Sequence, residues 1–596
     1  MGVRGLTTFV KNPSYTHDGS TTLLRPHQLS NTPVVIDGKG LLQWLYFEND
    51  VDCKHGGDYR EYETICTEFI EALHQRGVKP FILFDGASNP DDSKVDTLLG
   101  RCRERIQDSA KIIDGDPESP KLRPPFTTAV FLKVLESKEV GYVFCDFEAD
   151  SEIVALANIM GCPVIGNDSD FFVFDLTGGY IPLSSLRWKE ARQLSIPCEK
   201  YSLDHFCQAY SMRREMVPLL AILLGNDYVS RETFDDLYHR VIKRSGNIPN
   251  GPNVRIPRTI RFLQSRQNFA DGAKRLLKDE ARRQGKEECI EKSLQAYHIA
   301  PESRYQAYLQ QDPSMVDIPD CPLPAAYVDL YRRGAFPADY INLKFRNNRK
   351  KLLPNLVEDY IRPSCHLISQ RIREAIYGIL LHGLHDRAVQ ETGREGQDIK
   401  VFIVTGMPSL PEFGSLPNLE RMIDLEEERR KVLVMEVLEV DHGRVQAIRD
   451  DLKLPVATTI YWRSKLDLPV TESGHHLMRV ILLGIAICYS REDLNMDDVK
   501  GNLKEAPRVM NRTAVQAFAE WQSCMYYTMH LNTLVNRPYP TPDATKLYHG
   551  TLLHRIYATT RLQRDVNPDW VETDVLRGSP AALALFRHLD GVAQNQ

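Results

Sequence analysis

Four short apolar runs, each leading into an acid, constrain this chain more than anything else in it. They are Pro33-Val34-Val35-Ile36-Asp37, Pro80-Phe81-Ile82-Leu83-Phe84-Asp85, Gly141-Tyr142-Val143-Phe144-Cys145 before Glu148 and Asp150, and Val164-Ile165-Gly166 before Asp168 and Asp170. Segments with apolar residues at helical spacing lie between them, such as Ile65, Phe69, Ile70 and Leu73, or Ile153, Leu156, Ala157 and Met160. Short, continuously apolar strands alternating with helices predict a parallel sheet covered on both faces. The expected fold class is α/β: a twisted, mainly parallel sheet flanked by helices, with a largely helical C-terminal half. Parallel strands bring their carboxyl ends to one edge, which is where open α/β sheets place their sites.

Each acid has an ordinary explanation when taken alone. Glu148 and Asp150 fall near the start of a helix, where the dipole favours carboxylates. Asp168 and Asp170, at a spacing that puts both side chains on one side of extended backbone, read as a polar surface turn. Asp227, in Leu224-Gly225-Asn226-Asp227-Tyr228, follows a helix end, where an acid opposes the dipole and needs another reason to be there. Together with Asp37 and Asp85, these acids stand at equivalent ends of successive elements and can converge. Carboxylates about 4 Å apart repel by roughly 4 kcal/mol at an effective dielectric near 20. A hard divalent cation is the natural partner for such a group. No Ser/His/Asp triad, Walker loop or Gly-rich dinucleotide loop competes, which leaves phosphoryl chemistry through metals.

The 596 residues exceed one compact core. The expected division is a core over 1–235 containing a basic helical insert at 88–125, a helical linker region over 236–330, and a mainly helical domain of unknown role over 331–596. The insert carries Lys94, Arg101, Arg103 and Arg105, as a solvated surface helix or a phosphate-contacting one. Farther on, Lys344 to Lys351 is the densest basic segment, and Ala457 to Tyr461 and Val401 to Val404 read as strands. The net charge of −6 argues against a uniformly basic binder but leaves room for a carboxylate-lined nucleic-acid enzyme. Twelve scattered cysteines without a C-x-x-C pair suggest free thiols in a reducing compartment. Neither a secretory signal nor an apolar run of membrane-spanning length is present, so a soluble intracellular protein without a membrane partner is expected.

The ordered set Met1-Gly2-Val3-Arg4-Gly5-Leu6, V-V-I-D at Asp37, F-D-G at Asp85, E-A-D at Glu148 and Asp150, D-S-D at Asp168 and Asp170, and L-G-N-D-Y at Asp227 resembles the XPG/flap-endonuclease family. The Gly56-Gly57-Asp58-Tyr59 segment and the length match its asteroid branch most closely. The resemblance covers roughly the first 235 residues. It implies a structure-specific DNA endonuclease acting in DNA repair on single-stranded, flap or overhang DNA. Two Mg²⁺ ions, which Mn²⁺ can replace, would be held by Asp37, Asp85, Glu148 and Asp150 as one group and by Asp168, Asp170 and Asp227 as the other. The resemblance also gives Asp37, Asp85, Lys94 and Arg101 to catalysis, and Gly2, Lys94, Arg101, Arg103 and Arg105 to nucleic-acid contact. It implies a nuclear, monomeric protein that could meet protein partners through its C-terminal half. Ser230 to Arg244 departs from the family by lacking the Gly-rich pattern of its potassium-binding hairpin. The competing expectation is a non-catalytic nucleic-acid-binding or scaffold protein on a nuclease fold; such relatives typically lose acids.

Overall fold

The structure, a computed structural model, describes residues 2–13, 22–87, 95–116, 120–190, 194–244, 254–266, 270–309, 323–345, 349–467, 474–505, 509–561, 566, 570–577 and 579–594. The chain divides into two compact units. The first comprises Met1–Trp44, Thr67–Leu98 and Leu135–Val316; the second comprises Leu45–Cys66, Leu99–Val134 and Asp317–Gln596. This division runs differently from the expected boundaries. Helices placed in a linker over 236–330 pack mostly with the first unit, and two early segments belong with the C-terminal half.

The first unit is built on a seven-stranded sheet of β1 (Leu24–Leu29), β2 (Pro33–Asp37), β3 (Lys79–Phe84), β4 (Gly141–Phe144), β5 (Val164–Gly166), β6 (Tyr180–Pro182) and β7 (Ile196–Tyr201), in the order β1-β7-β6-β5-β2-β3-β4. The β6-β5-β2-β3-β4 block is parallel throughout, and β7 and β1 extend it antiparallel. The expected α/β class with a mainly parallel sheet therefore holds. The chain leaves β2 toward β3 and β4, then returns to the other side of β2 as β5. This is the change of direction outside which α/β sheets bind ligands. Register aligns the acids: Asp37 pairs with Leu83, two residues before Asp85, and Ile36 pairs with Ile165, three residues before Asp168.

The helix Val217–Leu224 is buried along nearly its whole length and anchors the core beneath this edge. The stretch from Asp204 to Leu224, apolar at helical spacing, is not one continuous helix. A helix over Leu203–Ala209 stops before Ser211, whose φ of 46° ends it, and Pro218 starts the next one in its first turn.

Helices dominate the second unit, among them Gln370–Leu380, Asp450–Lys465, Gly474–Tyr489 and Arg512–Leu534. A small sheet of β8 (Lys350–Leu352), β9 (Ala388–Glu395) and β10 (Asp398–Thr405) accompanies them. The strand expected at Val401 to Val404 is present. The strand expected at Ala457 to Tyr461 is not, because those residues lie inside the helix Asp450–Lys465. That helix is buried on every side, so its apolar run lacks the one-sided pattern that distinguishes helix from strand. Thr458 and Thr459 donate to the carbonyls of Leu454 and Pro455, both at 2.8 Å, which satisfies two β-branched hydroxyls in the helix interior. His366, beside Cys365, is held by Ser523 Oγ at 2.8 Å and the Pro354 carbonyl at 2.7 Å, a structural arrangement. Among the described residues no helix is long and apolar enough to cross a membrane, and the described cysteines are free thiols.

Candidate active site

Each acid is positioned by the turn that follows its strand or, for Asp227, its helix. A helix begins at Gly38, directly after Asp37, and the Asp37 carboxylate accepts the N–H groups of Lys39 and Gly40, each at 3.1 Å. Room for this is made by Gly40, where a Cβ would stand 2.3 Å from Asp37 Oδ2. Gly40→Ala should therefore favour the helix locally while pushing the carboxylate aside. Cleavage is expected to fall on the order of 10²-fold with little change in melting temperature, measured by gel assay and calorimetry.

Asp85 accepts the Ala149 N–H at 3.1 Å and so fastens its strand end to the turn carrying Glu148 and Asp150. Asp150 is the first residue of the helix Asp150–Met160. Asp168 and Asp170 are not on extended backbone together. Asp168 caps a short 3₁₀ helix, Ser169–Phe172, by accepting the Asp170 N–H at 3.0 Å. The tight winding lets both acids stay at the edge while Phe171 and Phe172 turn into the core. Asp227 sits in the turn after the helix Val217–Leu224, and the preceding Asn226 shapes that turn by accepting the Tyr228 and Val229 N–H groups at 3.1 Å.

The chain start meets the same place. Gly2 has a φ of 46°, and a Cβ on it would lie 2.1 Å from Asp168 Oδ1. Ser169 Oγ donates to the Val3 carbonyl at 3.2 Å, and the Arg4 N–H donates to the Gly225 carbonyl at 3.1 Å. A glycine at position 2 is what lets the N-terminal strap pass over Asp168.

The electrostatics record the convergence. Burial, and then the neighbouring Asp85 and Asp168 carboxylates, push Asp37 up to about 7, against the hydrogen bond from Gly40. Burial raises Asp150 well above the carboxylate range, reinforced by Asp168, Asp85, Asp170 and Asp37. Glu148, Asp150, Asp170 and Asp227 line one cleft, together with Tyr297, Lys292 and Arg304. All seven acids singled out in the sequence are thus brought to one edge of the first unit.

Sequence reasoning missed Lys39 and Tyr297. Lys39 Nζ stands 3.1 Å from Asp85 Oδ2, and its position two residues after Asp37 was the available signal. Tyr297 Oη donates to Asp170 Oδ1 at 2.5 Å; nothing local in the sequence around it points to this role. The expected basic residues are placed only in part. Lys94 lies outside the described residues, as do 346–348 of the Lys344 to Lys351 run. Arg101, Arg103 and Arg105 lie on the helix Val95–Asp114 within the second unit, Arg103 and Arg105 exposed and Arg101 half-buried.

Among the described residues, one His/Asp/Glu group has donor atoms within 4.8 Å of one another: Asp58, Glu61 and His549, in the second unit. Asp58 Oδ1 is 2.8 Å from His549 Nδ1, and Glu61 Oε1 is 3.3 Å from His549 Nε2. The imidazole thus stands between the carboxylates with a nitrogen toward each, paired with both. Arg491 donates to Glu61 at 2.9 Å, giving two cationic side chains for two carboxylates. Burial alone would lower His549, but Asp58 and Glu61 outweigh it and hold it up at about 9. This is a charge-balanced ionic lock.

The family model described as "XPG domain containing" matches residues 123–254, and "Asteroid N-terminal domain" matches residues 486–595. The chain is 31% identical to the human protein named "Single-strand DNA endonuclease ASTE1", over 93% of this chain and 85% of that one. It is 28% identical to "Protein asteroid" of Drosophila melanogaster, over 41% of this chain and 34% of that one. Among solved structures, the catalytic core of Rad2 in complex with DNA substrate matches at 18% identity with a TM-score of 0.28, over 58% of this chain and 99% of that one.

Proposed function

The chain belongs to the asteroid branch of the XPG nuclease family, and from that premise we propose that it is a metal-dependent, structure-selective endonuclease for single-stranded, flap or overhang DNA. The observation that carries this is the meeting of seven acids at the carboxyl edge of one sheet, with Asp37 pushed up to about 7. The residues fit divalent ions. Every candidate donor is a carboxylate oxygen, the hard ligand that Mg²⁺ and Mn²⁺ take, and added positive charge relieves carboxylates that resist ionising together. Asp37, Asp85, Glu148 and Asp150 would hold one ion, and Asp168, Asp170 and Asp227 the other. The chemistry such a pair supplies when bound is water activation and stabilisation of the leaving oxygen.

The chain's own residues prepare the site. The Lys39 and Gly40 N–H groups fix the Asp37 carboxylate, and the Ala149 N–H fixes Asp85. Lys39, with 56% of its side chain exposed, offers a cation at the same edge to a phosphate oxygen. Lys94, Arg101, Arg103 and Arg105 are assigned to backbone phosphates on the family match. A DNA substrate goes with a nuclear location, which imaging of the tagged full chain would check.

The test incubates the purified full chain with flap, overhang, bubble and single-stranded oligonucleotides, with and without Mg²⁺, beside Asp168→Ala. Mg²⁺-dependent cleavage that disappears in a folded Asp168→Ala protein is expected. Failure to cut any substrate, or an equally active variant, would overturn the proposal.

A further inference from the structure

Residues 236–330 supply none of the seven acids, yet part of this stretch reaches them. The helix Glu287–Ala296 ends immediately before Tyr297. The Tyr297 ring packs edge-on against Phe174, with centroids 5.4 Å apart, and its hydroxyl donates to Asp170 Oδ1 at 2.5 Å. That length belongs to a charge-assisted O–H···O⁻ bond. The same hydroxyl accepts from Asn226 Nδ2 at 3.3 Å, and Asn226 Nδ2 also donates to Ser293 Oγ at 2.6 Å. Ser293 and Tyr297 are four residues apart and so share one helix face. Asn226 directly precedes Asp227 and shapes its turn. One hydroxyl therefore joins the Asp170 carboxylate to the turn that carries Asp227.

We propose that Tyr297 is a positioning residue of the cleavage site. Its hydroxyl holds one Asp170 oxygen and so sets the orientation in which that carboxylate would meet a divalent ion, while Asn226 and Ser293 tie that geometry to Asp227. The inference rests on the reading of Asp170 as a metal ligand. Hydrogen-bond partners of ligating carboxylates typically govern metal affinity or activity by about 10–100-fold. A residue that only filled space here would act through its ring, which Tyr297→Phe retains.

The test titrates Mn²⁺ into the full-length wild-type protein and into Asp170→Asn, Tyr297→Phe and Ser293→Ala, without DNA, by calorimetry and electron paramagnetic resonance. Mg²⁺ half-saturation of cleavage is measured alongside. Asp170→Asn should lose an ion. Tyr297→Phe should keep the stoichiometry, bind Mn²⁺ about 10-fold or more weakly, and need correspondingly more Mg²⁺, with its melting in EDTA unchanged. Ser293→Ala should move both readouts in the same direction by a smaller factor, less than additively with Tyr297→Phe. Wild-type Mn²⁺ affinity in Tyr297→Phe, with affinity lost in Asp170→Asn, would overturn the positioning role while leaving the nuclease reading intact. Unchanged binding in Asp170→Asn would remove the ligand assignment and the inference with it. Should Tyr297→Phe not fold, unchanged affinity in Ser293→Ala would overturn the role.

Discussion

Asp37→Asn is expected to abolish cleavage and at the same time to raise the melting temperature of the metal-free protein. The loss should exceed about a hundredfold, because a proposed ligand goes and not merely the partner of one. The stabilisation follows from the sign of the shift. Asp37 titrates near 7 in the folded protein against an ordinary 3.8, with burial as the largest cause. The folded state thus holds a proton that the unfolded state has released. Its stability falls as pH rises from about 4 through 7. Linkage for a shift of this size sets an upper bound of roughly 4 kcal/mol above pH 7, and the half-buried position of Asp37 reduces it. Asn keeps the shape and escapes that penalty. In EDTA at pH 7.5 a rise of about 3 °C or more is expected, shrinking toward pH 4. Saturating Mg²⁺ should narrow the gap by stabilising the wild type more than the variant. A less stable variant, or one that still cuts, would contradict the placement of Asp37 at the centre of the like-charged cluster.

His549→Gln is expected to destabilise the protein by about 3 kcal/mol at pH 6, the equivalent of its rise from 6.5 to about 9. The folded value lies above the unfolded one. The contribution is therefore complete below pH 6.5 and is lost as pH climbs through 9. Wild type and variant should differ most in melting temperature at pH 6, less at pH 8 and least at pH 10. A gap independent of pH would mean that His549 serves by packing rather than charge. Thr551 N and Oγ1 donate to Asp58 at 3.1 and 2.8 Å, so some hydrogen bonding to that carboxylate survives the substitution.

The acid edge was legible in the sequence because each of its members follows a distinct local signal. A buried strand ends in Asp37, another ends before Asp85, and parallel pairing does the rest. The turn at Asp168 and Asp170 was legible as a site but not in detail, since a spacing of two has the same appearance on extended and 3₁₀ backbone. Tyr297 was not legible. Its role depends on a contact 127 positions away from Asp170, and its local sequence is an ordinary helix end. The second unit was the hardest to read. Helices such as Asp450–Lys465 are buried all round, so they show no amphipathic stripe, and a run like Ala457 to Tyr461 then has the composition of a strand. The boundaries differed for another reason. Composition changes little where the chain passes from one unit to the other, and only long-range contacts reveal that 45–66 and 99–134 pack with residues beyond 316.

That interleaving has a consequence for how the protein is made. Asp58 meets Thr551, a partner 493 positions farther along the chain. At ribosomal rates of about 5–20 residues per second, the early segment waits on the order of half a minute to a minute and a half for that partner to be synthesised. A premature stop after residue 316 would therefore do more than remove a tail. It would leave residues 45–66 and 99–134, spliced into the nuclease sequence, without the helices that bury them. Late truncations should consequently behave as folding lesions subject to degradation, even though every candidate catalytic acid is still encoded.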